Sequence, residues 1–375
     1  MLSGQSVGPL AAIVDTGADC IPDPAGDSFH YPSAFDKLKG LRKVKHVMIP
    51  YRQEDHGDFD AEWSPHKKVS GWWYITGTLT DQLAPELLYS YQFTFIRPRI
   101  YGITPYLLQL ALTDFQTGKH WFTQKVNARH GNIFANQSVV NYASFGRLEQ
   151  QKEAMTLTAK ADEFELELEL SKGKGAFWHG DNGVLVMGSP EDPRQRTVYY
   201  SYTNMPTTGQ VTWNEPSGKK SVLKVSGQSW FDRQWGPYRV IHPGSHWEWF
   251  SLRFSDAEEV MLFAFPQHPY LDGTYVDQAG NGRRVRDYTY TPKEYIEVNG
   301  FTFSKGWDLT LPGIKEERYE IRPLMEGQLN LAYFELLAEI IDPHGKRAGF
   351  CFVELLPGAR NPDMRIDFRN LLRRV

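Results

Sequence analysis

From Phe164 to Leu170 the chain alternates without interruption. Phe164, Leu166, Leu168 and Leu170 fall on one side, and Glu163, Glu165, Glu167 and Glu169 on the other. A side-chain period of two is that of a strand with one face buried. The glutamates therefore read as a solvated face, not a catalytic cluster. Strand-like runs recur along the chain: Trp72 to Thr80, Leu87 to Arg97, Tyr106 to Thr113, Gly175 to His179, Val184 to Met187, Thr197 to Thr203, Gln210 to Trp213 and Val222 to Gln228. Further runs are Ser245 to Phe254, Glu259 to Phe265, Val285 to Tyr290, Glu294 to Val298, Gly306 to Thr310, Arg318 to Ile321, Leu331 to Ile341 and Ala348 to Leu355. Turn pairs and triplets separate many of them, among them Asp181-Asn182-Gly183, Ser217-Gly218, Asp272-Gly273, Gly280-Asn281-Gly282 and Asn299-Gly300. Helical periodicity is confined to short candidates at Pro32 to Lys39 and Met364 to Arg374. The pattern predicts an all-β protein of antiparallel barrels or sandwiches. The strands are too many for one small barrel. The break from Pro237 to Gly244 divides them into a β domain over 65–240 and a second over 241–375, after an irregular arm over 1–64 rich in Pro, Gly, Asp and His.

Composition adds three exclusions. At 375 residues the chain can bury a core without disulfide or metal staples. The net charge of −4 removes the basic footprint of a nucleic-acid binder. No run approaches the ~20 apolar residues of a membrane-spanning helix. The opening MLSGQSVGPLAAIV has a short apolar run with no Lys or Arg before it, which fails the signal-peptide pattern and predicts a cytoplasmic protein. A monomer or homodimer is expected. Cys20 and Cys351, at opposite ends of the chain, form no disulfide framework. One number is unusual: 14% of residues are aromatic, and four of the 11 tryptophans lie between Trp230 and Trp249.

Several short motifs do not survive their context. Asp15-Thr16-Gly17-Ala18 matches an aspartic-protease signature, but that chemistry needs two carboxylates sharing a proton, and no second such triplet exists. Ser64-Pro65-His66-Lys67 carries a proline inside a motif that belongs on a helix. Gly173-Lys174-Gly175 lacks the third glycine and the following helix of a dinucleotide site, and Gly218-Lys219-Lys220-Ser221 lacks the first glycine of a phosphate loop. His242 and His246 are four apart, but Pro243 and Gly244 intervene, so they do not stack as two metal ligands on a helix.

The informative segment is 226–254, SGQSWFDRQWGPYRVIHPGSHWEWFSLRF. In an extended chain Trp230, Asp232 and Gln234 share one face, and Phe231, Arg233 and Trp235 the other. His246, Glu248 and Phe250 likewise oppose Trp247, Trp249 and Ser251. Periodicity does not say which face of Trp230 to Gln234 is interior. Carboxyl groups among aromatic rings have raised pKa values, because desolvation disfavours their charged form. A neutral acid in an apolar site can serve as a general acid. The competing reading is an Asp232–Arg233 ion pair closing a barrel end.

Gly227-Gln-Ser-Trp-Phe-Asp-Arg-Gln-Trp-Gly236 resembles the Gly-x-x-Trp-x-Asp-x-x-Trp-Gly signature of the AttH and carotenoid 1,2-hydratase superfamily. Gly71-Trp-Trp-Tyr-Ile-Thr-Gly-Thr-Leu79, Tyr91 to Arg97, His179-Gly-Asp-Asn-Gly183, Tyr199 to Thr203 and Trp247 to Ser251 resemble family segments in the same order, over about residues 65–355. The resemblance implies two consecutive lipocalin-like β-barrel domains. The superfamily includes carotenoid and kievitone hydratases, which add water to an isolated alkene, and related lipocalin-like proteins act as Diels–Alderases. The arm before residue 65 has no counterpart in the family pattern.

The resemblance implies an enzyme acting on a small hydrophobic, unsaturated, isoprenoid- or polyketide-like natural product. The sequence holds no redox-cofactor motif and no metal cluster, which predicts an enzyme without cofactor or metal. Two alternatives stay open: a pericyclase, and a carrier of a hydrophobic ligand without catalysis. For acid–base hydration or cyclisation, Asp232 is the expected acid, Glu248 the base or second acid, and Tyr74 a hydroxyl donor. Tyr200 and Tyr202 are further hydroxyl donors. Trp73, Phe95, Trp230, Trp235, Trp247 and Phe250 are the expected aromatic walls, which would shield a carbocation. Gln92, Arg97 and His179 are the expected grip on a polar end of the substrate.

Overall fold

The computed structural model describes the pairing of Ile21–Pro22 (β1) with Phe29–His30 (β2), and residues 62–363 apart from 67, 100–103, 128–130, 153, 190, 193–194, 215–216, 238–245 and 269. The two helical candidates, Asp15, Cys20, His242 and most of the predicted break lie outside the described residues.

Two large antiparallel sheets account for nearly everything described. The N-terminal sheet holds β3 (Ser70–Asp81), β4 (Leu88–Arg97), β5 (Tyr106–Asp114), β6 (Lys119–Asn127), β7 (Ile133–Ala135), β8 (Val139–Tyr142), β9 (Gly146–Gln151) and β10 (Ala154–Lys160). It continues with β11 (Phe164–Ser171), β12 (Ala176–Trp178), β13 (Val184–Val186), β14 (Arg196–Asn214) and β15 (Lys220–Gly236). Its order is β6-β5-β4-β3-β15-β14-β11-β10-β9-β8-β7, with β12 and β13 also paired to β14. The sheet curls until distant strands touch. Gly146 on β9 lies against Phe93 of β4 and Leu108 of β5, where an added Cβ would come within 2.9 Å and 3.0 Å. Trp121 of β6 meets Trp213 of β14 at 5.0 Å.

The C-terminal sheet holds β16 (Glu248–Phe254), β17 (Glu259–Ala264), β18 (Leu271–Val276), β19 (Gly282–Val285), β20 (Thr289–Val298) and β21 (Phe301–Leu311). It ends with β22 (Lys315–Pro323), β23 (Leu329–Asn330), β24 (Tyr333–Ile341) and β25 (Arg347–Leu355). The order is β19-β18-β17-β16-β25-β24-β22-β21-β20, with β23 on β24. It curls in the same way: Phe250 on β16 packs on Trp307 of β21 at 5.3 Å. The all-β expectation is met by two curled sheets. Among the described residues no helix is long and apolar enough to cross a membrane.

Each sheet wraps its own apolar interior, and a third cluster lies between the sheets. Strand alternation explains this. On β3, Trp73, Ile75 and Leu79 face the N-terminal interior, so Tyr74 and Thr76 face the other sheet. On β16, Phe250, Leu252 and Phe254 face the C-terminal interior, so Trp249, Ser251 and Arg253 face back. Strands covered on both sides lose the alternation of a half-solvated strand. All seven residues of β16 and all six of β17 are buried.

The structure departs from the sequence reading at several strands. Two separate runs, Thr197 to Thr203 and Gln210 to Trp213, are one 19-residue strand, β14, with a register shift between Tyr202 and Met205 that admits Pro206. Strands β6 to β10 are not among the runs predicted from the sequence. Asp272-Gly273, read as a turn, lies inside β18, with the Asp272 side chain buried. The Asn299-Gly300 turn is as expected: both residues have positive φ, 52° and 80°, joining β20 to β21.

Candidate functional site

The signature strand β15 divides its side chains between two compartments. Phe231, Arg233 and Trp235 point into the N-terminal interior, while Trp230, Asp232 and Gln234 point away from it. Arg233 does not pair with Asp232. It is fully buried, lies over the rings of Trp73 at 4.0 Å and Trp235 at 4.8 Å, and donates to the carbonyls of Trp63, Ser64, Trp72 and Gln234. Burial pulls its pKa down to about 9. Arg233 closes the end of the sheet interior, and Asp232 is left for the space between the sheets.

Asp232 is 5% exposed and sits in a directed chain of hydrogen bonds. Trp230 Nε1 donates to its Oδ1 at 2.6 Å, and Ser201, its cross-strand partner, donates to the same oxygen. His179 Nε2 lies 2.6 Å from Ser201 Oγ, and His179 Nδ1 lies 2.8 Å from Thr274 Oγ1 on the other sheet. One tautomer satisfies all four groups. Thr274 donates to Nδ1, Nε2–H donates to Ser201, and Ser201 donates to the carboxylate. Burial lowers the His179 pKa to about 3, so the imidazole is neutral at ordinary pH. Burial raises the Asp232 pKa to about 7, against the pull of Ser201, Trp230 and Tyr199 toward the carboxylate. The carboxyl is therefore poised at neutral pH.

Two glutamates from the C-terminal sheet join it. Glu335 on β24 and Glu354 on β25 are direct cross-strand partners, and Trp249 of β16 is the next partner along the same rung. Tyr74, the β3 partner of Asp232, donates to Glu335 Oε2 at 2.9 Å, and Trp247 Nε1 donates to Glu354 Oε2 at 2.9 Å. Burial raises Glu335 well above the usual carboxylate range, and the charges of Glu354 and Asp232 raise it further. Glu354 is pushed up to about 7 by burial, with Asp232 adding to the rise. The charge of Asp232 thus bears on both glutamates. Trp249 stands edge-on to Tyr74 at 5.8 Å and to Trp230 at 6.0 Å, and joins the aromatic lining to the acids.

Several buried polar atoms here have no hydrogen-bond partner among the described residues: Glu335 Oε1, Thr76 Oγ1, Ser251 Oγ, and Arg253 Nε and Nη2. Leaving a buried polar group unpaired costs about 1–3 kcal/mol. On the facing surfaces of two sheets, such groups call for a polar partner, water or a ligand atom.

The sequence-derived site residues are distributed unevenly. Tyr74, Trp230, Asp232, Trp247 and His179 come together between the sheets. Gln92 also faces the C-terminal sheet, in a neutral network. Its amide donates to Tyr333 Oη at 2.9 Å and accepts from Asn330, and Tyr333 in turn donates to Gln109 at 2.9 Å. Trp73, Phe95, Tyr200, Tyr202 and Trp235 line the N-terminal interior, separated from Asp232 by the sheet itself. Arg97 donates to the His66 carbonyl at 2.8 Å, and His66 stacks on Trp235. Glu248 and Phe250 belong to the C-terminal interior. Glu248 accepts from Ser304 at 2.6 Å and from Arg360 Nε at 2.8 Å, which makes it a neutralised ion pair that is not beside Asp232. No group of three or more His, Cys, Asp or Glu among the described residues is arranged to hold a metal ion. Cys351 is a buried free thiol.

A family model described as AttH-like matches residues 50–358. The chain belongs to the AttH-like family. The match begins at residue 50, within the segment read as an arm. Among solved structures, an AttH protein of Nitrosomonas europaea is similar over 83% of this chain and 98% of that one, with TM-score 0.70 and 19% identity. Kievitone hydratase from Nectria haematococca is similar over 84% of this chain and 94% of that one, with TM-score 0.63 and 15% identity. No curated protein matches the chain. At these identities the likeness extends to the AttH-like fold, and the chemistry must be argued from the residues.

Sequence reasoning missed Ser201, Thr274, Glu335, Glu354 and Arg253. A signal was present for the glutamates. Tyr333–Ile341 and Arg347–Leu355 are apolar at nearly every position, as in strands buried on both faces. Glu335 and Glu354 each stand between apolar neighbours in such a run, unlike the alternating glutamates of β11.

Proposed function

We propose that this AttH-like protein is an enzyme that adds water to, or cyclises, an unsaturated hydrophobic substrate held between the two sheets, by acid–base catalysis at Asp232 and Glu354. The observation that carries this reading is the group of buried carboxyls Asp232, Glu335 and Glu354 beside Tyr74, Trp230 and Trp249. The similar fold of kievitone hydratase supports a hydratase-like activity.

Asp232 and Glu354 are both pushed up to about 7, and the charge of Asp232 disfavours ionisation of Glu354. Near neutral pH one therefore serves as the acid while the other serves as the base. Asp232 is the better donor to carbon: Ser201 and Trp230 bind only Oδ1, leaving Oδ2 to carry the proton. Glu335, whose pKa burial raises well above the usual carboxylate range, orients water through its unpaired Oε1. Protonation forms a C–H bond at one alkene carbon and breaks the π bond. The cation at the other carbon lies among the rings of Tyr74, Trp230 and Trp249, whose faces stabilise positive charge. Water attacks it, forming the C–O bond, and loses its proton to Glu354. The proton then returns to Asp232, directly or through solvent, and the net change is addition of one water. In cyclisation an internal double bond replaces water as the nucleophile, and Glu354 removes a proton from the ring carbon. His179 is a positioning residue: through Ser201 it holds Asp232 in one orientation.

The test is turnover in heavy water with a panel of isoprenoid and polyketide alkenes. Deuterium is expected at product carbon with wild type. Asp232→Asn and Glu354→Gln should each lose at least 100-fold in kcat, whereas Glu248→Gln should stay within about threefold. Product without deuterium, or full activity in Asp232→Asn, would overturn the acid mechanism in favour of a pericyclase. Tight binding of the panel with no turnover would leave a carrier.

A further inference from the structure

The face of the C-terminal sheet turned toward Asp232 changes character along its strands. Glu335, Glu354 and Trp249 form one rung; Leu337, Phe352, Ser251 and Met261 form the next on that face; Phe350, Arg253 and Glu259 form the next again. Trp249 meets Tyr74 and Trp230, while Arg253 Nη1 donates to the carbonyl of Gln228 at 2.7 Å, further along β15. The acid rung and the arginine are thus four residues apart on β16, about 13–14 Å at the rise of a strand, with a rung between them that is apolar but for Ser251.

Arg253 is 5% exposed, and its Nε and Nη2 have no hydrogen-bond partner among the described residues. Its cross-strand neighbour Glu259 is already engaged, accepting from Lys174 at 2.8 Å and 3.1 Å and from Asn204 at 2.9 Å. Tyr91 and Tyr74 are the titratable groups that approach Arg253 from the N-terminal sheet, and Glu259 and Cys351 those from its own sheet. None of them neutralises it in a hydrogen-bonded pair. A buried guanidinium with two free N–H groups is a planar fork suited to a planar oxyanion. Ser251 Oγ and Thr76 Oγ1, also unpaired, lie on the facing surfaces between the arginine and the acids.

We propose that Arg253 anchors the anionic head of the substrate, which is therefore an amphipathic unsaturated acid. A carboxylate, enolate or phenolate binds Nε and Nη2, the hydrocarbon runs past Met261, Phe352 and Leu337, and the reacting alkene reaches Asp232. The alkene end rests on the function proposed above; the anionic end rests on Arg253 alone.

The experiment measures quenching of tryptophan fluorescence by retinoic acid and by methyl retinoate, with wild type, Arg253→Met and Asp232→Asn. Wild type is expected to bind the acid at least tenfold more tightly than the ester. Arg253→Met should bring the two within about twofold, and Asp232→Asn should keep the preference. The Tm of Arg253→Met without ligand should equal or exceed that of wild type, because an unpaired buried charge is removed. If that variant does not fold, Arg253→Gln serves the same comparison. Equal binding of acid and ester by wild type, survival of the acid preference without Arg253, or no binding of either probe by wild type would overturn the proposal. If product carries no deuterium but the acid preference holds, the hydration reading fails and the anchor stands; the reverse removes the anchor alone.

Discussion

At the scale of single residues, burial and not ion pairing sets the chemistry of Asp232. Its carboxyl ionises near 3.8 in a solvated chain and near 7 in the fold. Below the lower value both states are protonated and ionisation costs nothing. As pH rises from about 4 to 7, the unfolded chain ionises while the folded protein holds its proton, so stability is lost across that window, at about 1.4 kcal/mol per pKa unit. Above 7 the loss is complete. His179 works in the opposite direction: its folded pKa of about 3 means that stability is lost as pH falls below 6.5. Comparison with Asp232→Asn isolates the carboxyl. The Tm of that variant relative to wild type should rise between pH 5 and pH 8, and a difference independent of pH would show that Asp232 is not protonated in the fold. Part of this was legible beforehand: Trp230 and Asp232 on one face, Phe231 and Arg233 on the other, with acids among aromatic rings. Glu248 was equally conspicuous in sequence, yet it is satisfied by Arg360 and Ser304 in the C-terminal interior. Local sequence does not reveal a partner more than 100 residues away.

Among the elements, β14 and β15 organise the site. Together they place Ser201 opposite Asp232, and β15 pairs β3 so that Tyr74 is opposite Asp232 on the other side. Gly227 is required for that second pairing. A Cβ there would come within 1.8 Å of the Thr78 carbonyl oxygen. Gly227→Val should cost about 3 kcal/mol or more in urea unfolding, since the side chain must push β3 off its register. A loss below 1 kcal/mol would mean that the strand shifts freely and that Gly227 does not position Tyr74. The Gly and Asp of the signature thus have separate places in the fold: Gly227 allows close backbone approach, and Asp232 carries the acid of the proposed function. Period-two reading found the strands with a polar face, such as Phe164–Ser171, and lost face assignment in β16 and β17, where both faces are covered.

On the scale of the molecule, the candidate site depends on how the two sheets meet. Besides the His179–Thr274 contact, Lys174 fastens the N-terminal sheet to Glu259 and to the carbonyls of Asp277 and Ala257. Glu259 is buried, and burial already raises its pKa despite Lys174. Lys174→Met should therefore cost about 2–3 kcal/mol, somewhat less than breaking a fully buried pair because Asn204 and Thr203 still bind the carboxylate. Adding Glu259→Gln should recover part of that loss in a urea titration. A single-mutant effect near zero would show that the clamp is not what holds the sheets in register.

The sequence by itself determined the strand class, through alternation, turn pairs and aromatic content, and it pointed to Asp232, because a carboxyl among tryptophans is visible within a few residues. Tertiary structure alone decided which face of β15 looks outward from its own sheet. It also decided that Glu335 and Glu354, not Glu248, stand with Asp232, and that Arg253 has free donors. The reason is physical. Local pattern records the alternation of one strand, whereas charge, desolvation and hydrogen-bond satisfaction depend on what a second sheet brings to the same place.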